Sequence, residues 1–439
     1  MKRLKKFFAV FLVLLIPLTG CQGGDDEAAS DTENENVVEF EFWSAPNPTQ
    51  EAFWKSMADE YMKENTDVKI NVSPMPESPS SEAGIQAAIA SGSAPAVSEN
   101  ISRGFAAQLA GSEAIVPLEE FEGYDELIGN RNMEGSIAGW EFADGHQYVL
   151  PIYSNAMLFA WRLDILNELG YSEPPKTYSE VIEVGQKLKE KYPDKFLWAR
   201  ADLVQPTWWA RWFDFFMLYN AASGGANFTS GSDFVADRDA GIKTLNFFND
   251  LNENELVLTR EATDPFETGM SIMMDIGPWT FPYWAEKFPD LVYGETFALS
   301  MPPVPDDVDP ADSKTFADTK GLVIYSQASE EQQKAAFDFL TWVYSNPEND
   351  LTWFEKTNLP PARDDLSTND AFVSYLEENP QLNIFAENIP NGTPAIDNEK
   401  FVEIQEEIGK EALNPIMKGE KDPEEAWDDM VDAISGVLK

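Results

Sequence analysis

Residues 37–42 (VVEFEF) alternate apolar and polar positions, the two-residue period of a half-buried strand. Trp43-Ser-Ala-Pro-Asn-Pro breaks the pattern, and Phe53, Trp54, Met57, Tyr61 and Met62 then share one face of a helix spanning about 50–64. Asn65-Thr66-Asp67 closes it, and Val68, Ile70 and Val72 alternate as a second strand. Strand, helix and strand at this spacing form a βαβ unit, and parallel strands joined by helices place the chain in the α/β class.

The same reading predicts a helix over 84–91 ending at Gly92, a strand near Ala96 and a helix near 105–109. Strands are expected over 147–153 and 156–161, and a short helix over 163–169 closed by Gly170. Thr177 and Glu180, and later Ser329 and Gln332, have the spacing of capping boxes opening helices that run to Lys191 and Tyr344. Residues 208–219 are apolar nearly all round and predict one buried helix. Residues 297–301 and 322–325 read as strands, and Asp422-Pro-Glu-Glu425 as the start of the last helix.

The N-terminus has a different pattern. Lys2, Arg3, Lys5 and Lys6 precede an apolar run over 7–16, and Leu18-Thr19-Gly20-Cys21 follows. A basic stretch, a short apolar core and small residues at a cleavage point make a secretory signal, with a core too short to span a bilayer. The tetrad resembles the lipobox of bacterial lipoproteins, in which the cysteine is acylated. A diacylated Cys21 carries two chains, about what stable anchoring requires. Residues 22–36 hold no large apolar side chain and many acids, the composition of a flexible leash. The 1–20 signal and 21–36 tether leave about 400 residues, more than one hydrophobic core accommodates.

With 31 basic and 77 acidic residues the net charge is -46. That field repels nucleic acid and anionic surfaces and opposes polyanionic ligands unless a local basic pocket exists. Cys21 is the only cysteine and His146 the only histidine, so no disulfide, histidine triad or multi-histidine metal site is expected. No phosphate-cradling glycine loop with lysine is present, and neither metal nor other cofactor is expected. Two carboxylates would suffice for glycoside hydrolysis, which composition leaves open.

Six stretches in order resemble family 1 extracellular solute-binding proteins, the sugar-binding lipoproteins of ABC importers. They are Phe40 to Trp43 (FEFW), 87–95 (AAIASGSAP), 145–151 (GHQYVLP), 169–178 (LGYSEPPKTY), 266–274 (FETGMSIMM) with Gly277-Pro-Trp279, and 359–363 (LPPAR). Ala96, Trp161-Arg162 and Lys320-Gly321 depart from the family pattern. The resemblance implies two doubly wound α/β lobes with a hinge, of the periplasmic-binding-protein type II kind. By analogy the N-terminal lobe takes 37–152 and 297–346, and the C-terminal lobe 153–296 and 347–439. It further implies a monomer that binds sugar without turnover, its partners the ABC permease subunits and, through the lipid alone, the membrane.

Ligands of open α/β sheets bind beyond the carboxyl ends of strands, and sugars want aromatic platforms with polar side chains around them. Trp43 follows the first strand, although edge packing is a competing role. Trp279 is the platform that the resemblance implies. Trp208, Trp209 and Trp212 fall on the apolar 208–219 stretch, where core packing competes, and Trp208 or Trp209 near its start reaches toward the cleft. Asn47, Asn100, Arg103, Asn155, Lys320 and Arg363 are the polar candidates, each with a surface or salt-bridge role as the alternative. Two other readings remain: a receptor for a polyamine, peptide or organic acid, and a secreted glycoside-active enzyme.

Overall fold

The computed structural model describes residues 37–76, 80–138, 140–142, 144–205, 207–396 and 398–439. The signal, Cys21 and the leash lie outside the described residues. Ten strands build the two larger sheets: β1 (Val38–Ser44), β2 (Val68–Pro74), β3 (Val97–Ile101), β4 (Leu150–Tyr153), β5 (Leu158–Arg162), β6 (Phe196–Ala199), β7 (Val257–Leu258), β8 (Ser271–Ile276), β9 (Phe297–Ser300) and β10 (Lys320–Ile324).

The first sheet has the order β2-β1-β3-β10-β4, with β1, β2 and β3 parallel and β10 antiparallel to both neighbours. The second has the order β9-β5-β8-β6-β7, with β6, β7 and β8 parallel and β5 antiparallel to β8 and β9. Helices on the faces supply the apolar cover that parallel strands require. The helix Pro48–Glu64 buries Phe53, Trp54, Met57 and Tyr61, and Trp54 lies 4.6 Å from Phe42 of β1. Both capping boxes form, at Thr177 with Glu180 and at Ser329 with Gln332. Gly92 ends its helix in the left-handed conformation with φ 71°, which costs a residue without Cβ little.

Three expectations need correction. Strand 297–300 was assigned to the N-terminal lobe, yet as β9 it pairs with β5 in the second sheet. The helix Pro347–Thr357 was assigned to the C-terminal lobe, yet it packs on Pro48–Glu64 of the first sheet, with Trp353 5.2 Å from Phe53. Its next residue, Phe354, belongs to the core of the second sheet, so this helix is shared. Third, 208–219 is not one helix. A 3-10 turn, Trp208–Trp212, gives way at Asp214 to the helix Phe215–Ser223. Asp214 caps the second helix, accepting from the Phe215 amide, and pairs with Arg211 at 2.8 Å.

Candidate ligand-binding cleft

Three chain segments run side by side between the sheets. Residues 154–157 join β4 to β5, and 315–319 lie antiparallel to them: the Asp318 amide donates to the Asn155 carbonyl at 2.8 Å and the Met157 amide to the Phe316 carbonyl at 2.9 Å. The third segment is held by Ser154 donating to the Pro360 carbonyl at 3.1 Å and Ala362 to that of Ile152 at 2.9 Å. Backbone pairing of this kind fixes the segments laterally.

Of two neighbouring cavities, only the smaller is lined by residues of these segments. The larger, about 740 Å³, has Arg103, Ala107, Phe142 and Asp144 on one side and Phe216, Asn220, Phe228 and Thr229 on the other, with Glu399 and Lys400 at its rim. The smaller, about 420 Å³, is lined by Arg103, Trp140, Ser154, Ala317, Thr319 and Pro390 among others. Arg103, Pro394 and Ala395 are common to both. Arg103 donates to the Glu141 carbonyl at 2.9 Å and lies 5.3 Å from the Phe142 ring, which orients its guanidinium. Its neighbour Gly104 leaves room for Phe401, whose ring is 3.0 Å from where a Cβ would sit.

The loops of the second sheet carry the tryptophans. Trp208 meets Phe401 edge-on at 5.5 Å. Trp279 follows β8 and is 40 % exposed, its ring 6.3 Å from Phe213. Beneath these loops lies an ionic network. Arg200, just after β6, holds Asp275 of β8 at 3.1 Å and reaches the Ala210 carbonyl at 3.2 Å. Arg211 reaches the Asp202 carbonyl at 2.9 Å and Asp214 at 2.8 Å. Burial holds the Asp275 carboxyl above the usual carboxylate range, against the pull of Arg200. The network ties the Trp208–Trp212 turn to the strand that presents Trp279.

The remaining candidates divide. Trp43 ends up half-buried against the first core, in register with Ser73 and Ser98. Asn47 is exposed and its side chain caps the Pro48–Glu64 helix. Asn100 takes a left-handed φ of 63° beside the irregular pairing of β3 with β10. Asn155 is fully buried on the connecting segment, and Lys320 Nζ sits 2.9 Å from Asp318. Arg363, expected at the ligand, is instead bound at all three guanidinium nitrogens by Asp350 and Asp365 and is almost wholly buried. Three of its five N–H donors are spent on these carboxylates, although it also borders the smaller cavity. Arg103 alone of the named candidates lines both cavities.

Sequence reasoning missed Asp318, Tyr153 and the Arg200 network, and Glu99 is one of 77 acids in the chain. Glu99 is fully buried in the middle of β3, and its Oε2 accepts from the Ala45 amide at 3.0 Å. Burial pushes its carboxyl up to about 8. The acid-rich composition hid it, because only tertiary burial separates it from the solvated acids.

Residues 56–382 match a family model described as bacterial extracellular solute-binding protein. The chain is 23% identical to the sn-glycerol-3-phosphate-binding periplasmic protein UgpB of Pectobacterium atrosepticum, over 92% of each chain. It is 24% identical to the maltotriose-binding protein of Pyrococcus abyssi, over 70% of this chain and 62% of that one. The crystal structure of an uncharacterized protein from Listeria monocytogenes EGD-e is 56% identical, with a TM-score of 0.85 over 92% of this chain and all (100%) of the other. The cyclic alpha-maltosyl-1,6-maltose binding protein of Arthrobacter globiformis shares the fold at 20% identity, with a TM-score of 0.77 over 92% of this chain and 99% of that one.

Proposed function

The chain belongs to the bacterial extracellular solute-binding proteins, and from that premise we propose that it captures a sugar or oligosaccharide between its two sheets for an ABC importer. The observation that carries the reading is the 740 Å³ cavity, walled by Phe142, Phe216 and Phe228 and edged by amides. Its size suits a small oligosaccharide, and aromatic faces with a polar rim suit sugar rings. In a chain of net charge -46 the lining is balanced, Arg103 and Lys400 standing against Asp144 and Glu399. A balanced lining favours an uncharged ligand over a polyamine or an anion. Trp279 lines neither cavity, but its 40% exposure leaves the indole available as a stacking platform outside them.

In the proposed cycle the sheets, each with its helices, act as lobes that close about the segments at 154–157, 315–319 and 358–362. Sugar touching both lobes favours closure by its differential affinity. The permease recognises the closed form and releases the sugar unaltered. Cys21 carries lipid, and the acidic 22–36 leash holds the receptor, a monomer, off the extracytoplasmic face of the cell membrane. The test is a thermal-shift screen of the purified protein against neutral sugars, polyamines, peptides and organic acids. A native-state ligand raises the midpoint, and a rise with non-sugars alone overturns the reading.

A further inference from the structure

Residues 153–155 and 318–320 form a two-stranded ribbon between the sheets. Lys320 stands opposite Tyr153 and Ala156 opposite Ala317, so Asn155 stands opposite Asp318. Opposed residues of antiparallel strands project from one face and their neighbours from the other. The alternation is visible: Ser154, Ala317 and Thr319 line the 420 Å³ cavity, with the Ser154 and Thr319 hydroxyls 3.1 Å apart. Tyr153, Asn155, Asp318 and Lys320 therefore share the opposite face.

That face holds unspent hydrogen-bonding capacity. Asn155 is wholly buried; its Nδ2 has only the Met157 sulfur at 3.5 Å, and its Oδ1 has no hydrogen-bond partner among the described residues. A buried acceptor without a donor is costly and uncommon, and such groups concentrate where something else binds. Asp318 is 6% exposed, with the Lys320 ammonium 2.9 Å away. Lys320 is the most exposed of the four, so an incoming ligand meets the ammonium first and the carboxylate behind it.

We infer that Asp318 and Lys320 form a clamp for two adjacent hydroxyl groups, and that Asp318 determines ligand orientation and neutrality. One hydroxyl donates to the Asp318 carboxylate while its neighbour accepts from Lys320, a pairing that a vicinal diol satisfies in full. A phosphate ester meets the Asp318 charge, and a polyamine meets that of Lys320. Because the clamp sits on the ribbon joining the sheets, the ligand grips the element about which they turn. The inference rests on the sugar-receptor reading and adds a contact outside the lining of both cavities, on the face of the ribbon opposite the 420 Å³ one.

The experiment is calorimetric titration of the purified protein with glucose, maltose, maltotriose, their deoxy analogues and sn-glycerol 3-phosphate. Wild type is expected to bind a neutral sugar. Asp318→Asn and Lys320→Met should each weaken that binding by about tenfold or more. Removing one hydroxyl of the sugar should cost wild type affinity and cost the Asp318→Asn variant little, the signature of a direct pair. Urea midpoints for both variants show that they are folded, and Glu183→Gln on a distant helix leaves affinity unchanged. Variants binding the sugar within about twofold of wild type overturn the clamp and leave the receptor reading standing. So does tighter binding of glycerol 3-phosphate than of any neutral sugar. A wild-type protein that binds no sugar overturns the receptor reading, and the clamp falls with it.

Discussion

Arg131 and Arg363 share one carboxylate, that of Asp350. Arg131 donates to both of its oxygens, at 2.9 and 3.2 Å, and Arg363 to one, at 3.0 Å. Arg131 also reaches the Ile152 carbonyl at the end of β4 at 2.8 Å and lies 3.8 Å from the centre of the Tyr344 ring. Arg363 extends the chain to Asp365 through Nε at 2.8 Å and Nη2 at 3.0 Å. Two cations and two anions thus pin β4, the helix Pro347–Thr357 and the third connecting segment together. Buried charges are tolerated here because each is paired, and removing one partner leaves the others exposed to their desolvation cost.

Arg363→Ala should therefore destabilise the protein by about 3 kcal/mol or more, read as a fall in the urea midpoint. Arg363→Lys should recover only part, since one ammonium cannot serve Asp350 and Asp365 with the geometry of a guanidinium fork. Sugar affinity of the folded fraction should change by no more than a few-fold, because all three guanidinium nitrogens are already held by Asp350 and Asp365. A large affinity loss at unchanged stability would restore Arg363 to the ligand site.

Glu99 makes stability depend on pH with a definite sign. Its folded-state carboxyl is pushed up to about 8 by burial, from an ordinary value of 4.5. Between those values the unfolded chain releases a proton that the folded chain keeps. Glu99's contribution is then intact below about 4.5, declines as pH rises and is lost through about 8. The decline is at most about 1.4 kcal/mol per pH unit from this one group. Glu99→Gln keeps an acceptor for the Ala45 amide without a titrating proton. Its stability relative to wild type should rise from pH 5 to pH 8, measured by urea melts at each pH, and parallel curves would exclude the effect.

Local signals survived into the structure where the partners were close in sequence. Thr177 and Glu180 are three residues apart, and their reciprocal bonds depend on nothing else. The same holds for Ser329 with Gln332 and for Gly92. The misread elements depend on distant partners. The break at Asp214 makes sense only with Arg211 buried against it and Arg200 arriving from the end of β6. Arg363 resembled a ligand donor because Asp350 and Asp365 could not be placed beside it. Asp318 went unnoticed because its significance comes from lying across a ribbon from Asn155, 163 positions earlier. Periodicity marked the strands of the first sheet but not β6, β7 and β8, and the sheet that 297–300 joins was decided by pairing with β5.

Gly241 lies where the helix Arg238–Glu253 meets the last helix, Pro423–Val437. A Cβ there would fall 1.8 Å from the Trp427 ring, which is itself almost fully buried. Gly241→Ala therefore cannot gain the usual helix-propensity benefit and should cost about 1–3 kcal/mol by overpacking. Trp427→Phe in the same chain frees space and should recover part of the loss, a coupling that a double-mutant cycle in urea measures.

Gly277 and Trp279 give the sharpest test of the aromatic platform. Gly277 has an ordinary φ of -111°, so its backbone makes no demand for glycine. The demand is spatial: a Cβ would lie 2.2 Å from the Trp279 indole. Gly277→Ala must push the indole from its position, while Trp279→Ala removes it. Trp279 is 40% exposed, so neither change takes much apolar area out of the core, and stability should fall by less than about 1.5 kcal/mol. If the indole face stacks on a sugar ring, both variants should lose affinity by about tenfold, and Trp279→Phe by less. The quench or shift of tryptophan fluorescence on adding sugar should vanish in Trp279→Ala and shrink in Gly277→Ala. Full retention of affinity in Gly277→Ala with loss in Trp279→Ala would mean that indole presence matters and its seat on Gly277 does not. Retention in both would remove Trp279 from the site, leaving Phe142, Phe216 and Phe228 as the aromatic walls.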